Sequence, residues 1–175
     1  MTDAERLPDP LAVIRRLPKG AGVILRHYDD PGRAALARRV AAVCRERHLT
    51  LLVAGDWRLA RLVKAAGVHW PERMLPGRRH YQKSRAGFLT TASAHSFAAI
   101  KRAERCGVDA VLLSPVFKTR SHAGAQPLGA VRFAALLRQI RLPVIALGGI
   151  DRRDFNRIAR TGARGIAGIG LFAGA

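Results

Sequence analysis

The chain has 175 residues, which is enough for one well-packed domain and too few for two domains of ordinary size. Its 31 lysine and arginine residues against 12 aspartate and glutamate residues give a formal net charge of +19, which favours anionic ligands. No stretch approaches the roughly 18 consecutive apolar residues of a membrane span, and no N-terminal segment has the order of a signal peptide, so we expect a cytoplasmic protein without a membrane partner.

From residue 22 onward, short apolar runs alternate with amphipathic helical patterns such as "GRAALARRVAAVCRERH" and "SFAAIKRAERCG". The apolar runs are "GVILRHY" (22–28), "LTLLVAG" (49–55), "GVHW" (67–70), "GFLTTAS" (87–93), "DAVLLSPVF" (109–117), "PVIALGG" (143–149) and "GIAGIGLF" (165–172). Alternating strands and helices predict right-handed crossovers and a parallel sheet. The nearly continuous apolar character of the strands is typical of a sheet covered on both faces.

The pattern favours an α/β barrel over an open nucleotide-binding sheet, because G-x-G-x-x-G is absent from the first strand-to-helix turn. We expect one domain, 1–175, folded as a compact (β/α)8 TIM-type barrel. The segment "MTDAERLPDPLAVIRRLPKG" reads as a strand stub, a loop and a helix, so the first strand is predicted to be truncated. The segment "GLFAGA" leaves a short last helix. Either the barrel is shortened at both ends or the start codon lies upstream of Met1. For the N-terminus we favour an upstream start codon.

Polar residues and glycines follow the predicted strands, where a barrel carries its active site. They include Arg26, Tyr28, Asp56, Glu72, Ser93, Thr119, Ser121, His122, Gly149 and Gly170. Glycines after the last two strands allow backbone N–H groups to approach a phosphate, to which the N-terminus of the next helix adds partial positive charge. The sequence therefore predicts a phosphate site on the last strands of the barrel.

Four motifs together resemble the thiamine phosphate synthase family, which also includes a thiazole tautomerase: "SAHS", "GVDAVLLSPVFKTRSHAGAQPLG", "PVIALGGID" and "GARGIAGIGLF". The resemblance is strongest over residues 87–172. It implies a transferase that joins a pyrimidine diphosphate to a thiazole phosphate, releasing diphosphate with the help of Mg²⁺ and forming thiamine phosphate. The expected partners are these two phosphorylated small molecules.

The resemblance also implies roles for individual residues. Arg26 matches a diphosphate-binding Arg, Asp56 a magnesium ligand, and Ser93 a serine on the pyrimidine side. The residues implied to contact the thiazole phosphate are the hydroxyls Thr119 and Ser121 and the backbone cradle of Gly149, Ile169 and Gly170.

The chain departs from the family pattern mainly on the diphosphate side. Tyr28 stands where the family has Lys, Gly55 where it has Asn, and Met74 where it has a second magnesium-ligand Asp, with Glu72 nearby as a substitute. His122 replaces a Lys, and Arg120 and Lys118 lie close enough to supply its charge. We place Tyr28, Arg120 and His122 in the predicted substrate-binding set, and Arg26, Ser93 and His122 in the predicted catalytic set.

Alternatives remain open at several of these positions. Asp56 is as well placed to cap the helix of "GDWRLARL" as to bind metal, and Ser93 could be no more than a helix cap. His69 is read as a buried, hydrogen-bonded imidazole. As a whole, the chain could instead be a thiazole-phosphate-binding or tautomerase-like relative without synthase activity, although the position of the tautomerase histidine is Pro115. The net charge permits non-specific polyanion binding, but no motif indicates a dedicated nucleic-acid partner. The oligomeric state is left unassigned.

Overall fold

The computed structural model of the chain describes residues 1–7, 9–77, 88–119, 124 and 126–171. The strands are β1 (Gly22–Leu25), β2 (Thr50–Ala54), β3 (Gly67–Trp70), β4 (Leu89–Ala94), β5 (Ala110–Leu113), β6 (Val144–Leu147) and β7 (Gly165–Ala167). The α-helices are α1 (Pro10–Ile14), α2 (Arg33–Glu46), α3 (Trp57–Leu62), α4 (Phe97–Cys106), α5 (Gly129–Leu137) and α6 (Phe155–Ala159). Short 3₁₀ turns cover Glu72–Met74 and Arg152–Asp154.

The strands form one parallel sheet of seven in the order β1 to β7, and each strand pairs with the next in the chain. The α/β architecture is thereby confirmed. Helices connect most of the successive strands, as the right-handed crossover rule requires. The carboxyl ends of all seven strands consequently lie at the same edge of the sheet.

The described residues contain seven strands and do not show the eight-stranded barrel that the sequence predicts. The segment expected to be a truncated first strand makes single contacts with the two edges of the sheet. The Met1 amino group donates to the Gly168 carbonyl at 2.9 Å, and the Thr2 N–H donates to the Ile24 carbonyl at 2.9 Å. Two bonds do not make a strand ladder, and the sheet is a curled, incomplete barrel. An apolar cavity of about 440 Å³ lies between β1 and β7, beside α1.

Side chains on each strand alternate between the helices and the inside of the curled sheet. Leu51 and Val53 of β2 pack with α2, whereas Leu52 and Ala54 belong to a small inner cluster with Leu112 of β5. This alternation is the period of two that a strand imposes, and burial on both sides explains the continuous apolar runs in the sequence.

Local sequence signals set the ends of the longer helices. The Ser96 hydroxyl accepts a hydrogen bond from the Ala99 N–H at 3.1 Å at the start of α4, and Gly107 ends this helix in the left-handed conformation with φ of 77°. A bilayer span would need a longer and more apolar helix than any in the described part of the chain. Both cysteines, Cys44 and Cys106, are buried and free.

Candidate active site

A cavity of about 680 Å³ opens at the carboxyl ends of β1, β6 and β7. Five residues predicted to bind substrate line it: Arg26, Thr119, Gly149, Ile169 and Gly170. Arg6 and Arg152 also line this cavity, with Asp3 and Asp151 as the acidic residues. Three guanidinium groups against two carboxylates suit an anionic ligand. The fold therefore brings the predicted phosphate cradle and the predicted diphosphate-binding Arg into one space.

The glycine pair after β6 positions the loop that carries Thr119. The Val116 N–H donates to the Leu147 carbonyl at 3.0 Å, and the Phe117 N–H donates to the Gly148 carbonyl at 2.9 Å. Gly149 has φ of +66°, and a Cβ atom there would lie within 2.3 Å of the Lys118 carbonyl oxygen. Glycine is required at this position because the loop backbone occupies the space of a side chain. The tight packing holds Thr119 at the cavity wall.

Gly170 is a different kind of glycine. A Cβ atom at this position would meet nothing within 4 Å, and its φ is not in the left-handed region. Neither protein packing nor backbone strain therefore requires glycine here, and its backbone faces the open cavity. A close approach of ligand to backbone, as the sequence predicts for a phosphate cradle, is compatible with this geometry.

Arg26 follows β1 directly and is anchored through its backbone. Its N–H donates to the Thr2 hydroxyl at 3.0 Å. Burial raises the pKa of the Tyr28 hydroxyl, and the nearby Arg26 charge offsets only part of this rise. The phenol is therefore neutral at pH 7 and does not neutralise the positive charge of Arg26.

Ser93 of β4 does not cap a helix, since Ser96 performs that role. Its hydroxyl lies 2.9 Å from Nε2 of His69, whose Nδ1 lies 2.8 Å from the Thr91 hydroxyl. Burial, with the nearby positive charge of Arg26, lowers the pKa of His69 to about 3. The buried imidazole is therefore neutral and fixes the Ser93 hydroxyl. The sequence predicted a hydrogen-bonded His69 but not its partner; the parallel register, which pairs His69 with Thr91, is what aligns the two side chains.

The carboxylates predicted to bind magnesium are already hydrogen-bonded. Oδ1 of Asp56 accepts the Leu59 N–H at 2.9 Å and caps α3. Oε2 of Glu72 accepts from Nδ1 of His95 at 2.7 Å and from the His95 backbone N–H at 2.9 Å. Within the described ranges, no three His, Cys, Asp or Glu side chains cluster so that they could hold a metal ion.

The remaining position of the family's metal set carries Met74, and Mg²⁺ prefers hard oxygen ligands to a thioether. The side chains present therefore fit a protein-held magnesium ion poorly.

Three predicted site residues, Arg120, Ser121 and His122, lie outside the described residues. Their assigned roles stay predictions. Tyr28, Ser93, Asp56 and Glu72 are described but do not line the cavity of Arg26. Tyr28 lies close enough to Arg26, which lines that cavity, for the Arg26 charge to act on its hydroxyl.

Comparisons with known proteins agree with the motifs. Residues 7–172 match the family model described as thiamine monophosphate synthase. The chain is 37% identical over 159 residues to a putative thiamine-phosphate synthase 2 from Aquifex aeolicus, covering 89% of this chain and 85% of that protein. It is 28% identical over 174 residues to a thiamine-phosphate synthase from Bacillus velezensis, covering 92% of this chain and 75% of that protein.

Among solved structures, the fold is similar to that of a thiamine phosphate pyrophosphorylase from Pyrococcus furiosus, with a TM-score of 0.85 and 25% identity. The match covers 99% of this chain and 85% of that one. These comparisons lend no support to the tautomerase-like alternative and favour the synthase.

Proposed function

Because the chain belongs to the thiamine monophosphate synthase family, we propose that it joins hydroxymethylpyrimidine diphosphate to thiazole phosphate, forming thiamine phosphate and releasing diphosphate. The observation that carries this proposal is the cavity that Arg26, Thr119, Gly149 and Gly170 line together. One cavity thus offers a cationic group for one phosphorylated substrate and a cradle for the other.

In the proposed reaction, the bond between the pyrimidine methylene carbon and the diphosphate oxygen breaks, and its electron pair leaves with the diphosphate. The stabilised pyrimidine cation is captured by the lone pair of the thiazole nitrogen, which forms the new C–N bond. No acid or base is needed for this exchange. The work of the protein is therefore to align the two substrates and to neutralise the departing charge.

The described residues divide these tasks. Arg26 supplies positive charge to the diphosphate, and its backbone is held by the hydrogen bond to the Thr2 hydroxyl. Ser93 orients the pyrimidine, because the neutral imidazole of His69 holds its hydroxyl in one direction. We further propose that Arg120, Ser121 and His122 complete the phosphate loop that begins at Thr119, and that the reaction takes place in the cytoplasm.

The test is to incubate the purified chain with both phosphorylated substrates and to measure thiamine phosphate. We expect product from the wild type and a loss of at least about a hundredfold in kcat/KM for Arg26→Gln, the scale of removing one preorganised charge donor. Arg39→Gln, an exposed arginine of α2, is the matched control and should leave the rate unchanged. A folded wild-type protein that makes no thiamine phosphate would contradict the proposal.

A further inference from the structure

Three of the departures from the family pattern, at Tyr28, Gly55 and Met74, meet in space. Gly55 follows β2 with φ of +70°. A Cβ atom on it would lie 3.0 Å from Cε and 3.4 Å from Sδ of Met74, and 3.4 Å from Cε1 of Tyr28. These are the positions at which the resemblance implies Asn, Asp and Lys. We call Tyr28, Gly55 and Met74 together the Met74 patch. It presents a thioether and an aromatic ring where the family pattern implies a cation, an amide and a carboxylate.

Two arginines flank the Met74 patch. The guanidinium carbon of Arg33 lies 5.4 Å from the centre of the Tyr28 ring, and its Nη2 donates to the Ala54 carbonyl. Nε of Arg33 is buried and makes no hydrogen bond within the described structure. Arg26 lines the substrate cavity, and its positive charge acts on the hydroxyl of the same tyrosine. Tyr28 therefore lies near two cationic side chains beside the cavity, and Arg33 covers the face of its ring.

The nearby carboxylates do not restore a metal site. Asp56 caps α3, Glu72 is paired with His95, and Asp30 accepts the backbone N–H of Gly32 at 2.7 Å. A divalent cation next to the Met74 patch would face two guanidinium charges and a thioether, an arrangement that raises its energy. A diphosphate trianion would instead gain charge-assisted hydrogen bonds, because a guanidinium presents its N–H groups in a fork that fits phosphate oxygens.

We infer that Arg26 and Arg33 bind the diphosphate end of the substrate directly, and that the protein holds no magnesium ion there. Arg33 is a binding residue that the family motifs do not assign. The identity of the substrate in this inference rests on the proposed function. The mode of binding is inferred separately, from the geometry of Tyr28, Gly55, Met74 and Arg33.

Calorimetric titration of the intact chain with inorganic diphosphate tests the inference on the wild type. The titration is run once with excess EDTA and once with millimolar magnesium chloride. We expect the dissociation constant in EDTA to equal that in magnesium within about threefold, because both charges that recognise the ligand belong to the protein. Magnesium that tightens binding about tenfold or more would overturn the inference.

Two variants test the residues. Arg33→Gln should weaken diphosphate binding in EDTA about tenfold, the scale of one charged hydrogen-bonding group. Arg38→Gln, an exposed arginine of the same helix, is the matched control and should change it less than about twofold. Met74→Asp restores a carboxylate beside Gly55 and should make binding stronger in magnesium than in EDTA. Equal effects of the two arginine variants would overturn the role of Arg33.

The outcome is separable from that of the proposed function. If thiamine phosphate forms only when magnesium is present and diphosphate binding follows the same dependence, the inference is wrong and the synthase function stands. If diphosphate binds equally in EDTA through Arg33 and no thiamine phosphate forms, the function is wrong and the binding mode stands.

Discussion

His69 is enclosed within the curled sheet between two hydroxyl groups, and its protonation opposes folding. Burial and the Arg26 charge lower its pKa from 6.5 to about 3, so the native protein binds fewer protons than the unfolded chain in this range. The stabilisation is complete above pH 6.5 and is lost as the pH falls from 6.5 towards 3. We expect the free energy of unfolding to fall by about 2 kcal/mol from this residue between pH 7 and pH 5, at about 1.4 kcal/mol per unit of pH.

Urea titrations at the two pH values measure this effect, and His69→Gln serves as the comparison. A glutamine keeps an amide able to bond the hydroxyls of Thr91 and Ser93 but does not titrate. The variant should therefore lose less stability than the wild type on acidification, whatever its stability at pH 7. His27, whose pKa burial also lowers, is present in both proteins and cancels in the comparison. Equal losses in the two proteins would show that another group governs acid sensitivity.

At the scale of residues, the sequence predicted the kind of interaction that a side chain makes better than it predicted the residue with which the side chain interacts. One interpretation of Asp56 was a helix cap, and the structure confirms that Asp56 caps α3. The same interpretation of Ser93 is wrong, because Ser96 caps α4. The partner of Ser93 is His69, 24 positions away. Strand register determines such a contact, and register is a property of the folded sheet. The contact of Met74 with Gly55 was likewise not predictable from spacing.

At the scale of elements, the seven apolar runs from residue 22 onward all contain a strand, but every strand except β3 is shorter than its run. "GVILRHY" ends as a strand at Leu25, and the next backbone N–H, that of Arg26, donates to the Thr2 hydroxyl. "DAVLLSPVF" stops pairing as β5 at Leu113, and its last residues bond to the end of β6 instead. Periodicity locates a buried segment, whereas its end depends on where neighbouring strands stop. The truncated first strand that the sequence predicts makes only two backbone hydrogen bonds to the sheet, one each from Met1 and Thr2, and no continuous ladder.

The pairing of β3 with β4 depends on the glycine at the start of β3. A Cβ atom on Gly67 would lie 1.7 Å from the Leu89 carbonyl oxygen, so Gly67→Ala must separate the two strands locally. We expect this variant to lower the free energy of unfolding by about 2 kcal/mol or more and the melting temperature by about 5 °C or more. Thermal unfolding followed by circular dichroism measures the change.

The glycine at the start of β7 is the matched control. A Cβ atom on Gly165 would meet nothing within 4 Å, and its φ is not in the left-handed region. Gly165→Ala should therefore leave the melting temperature unchanged or raise it slightly, because alanine restricts the unfolded chain. If the two variants destabilise the protein equally, close approach of β4 is not the reason for Gly67.

At the scale of the whole molecule, the cations of the described residues are not confined to the cavity. Exposed arginines occur on α2, as Arg38 and Arg39, and on or next to α6, as Arg157 and Arg160. The two pairs are far apart in the sequence. A cavity of about 570 Å³ lined by Arg157 and Arg160 lies between α5 and α6. Positive charge distributed in this way raises the local concentration of phosphorylated ligands and also attracts any polyanion.

We therefore predict that the chain binds a short DNA duplex at low salt without sequence preference, and that binding weakens steeply as salt rises. Since the cations are distributed, removing two of them should have the same effect wherever they lie. The Arg38→Gln/Arg39→Gln and Arg157→Gln/Arg160→Gln double variants should each lower the slope of log K against log salt by no more than about two. Fluorescence anisotropy across a salt series measures these slopes. A much larger loss for the pair beside α6 would identify a localised polyanion site there, and an absence of binding at low salt would refute the prediction altogether.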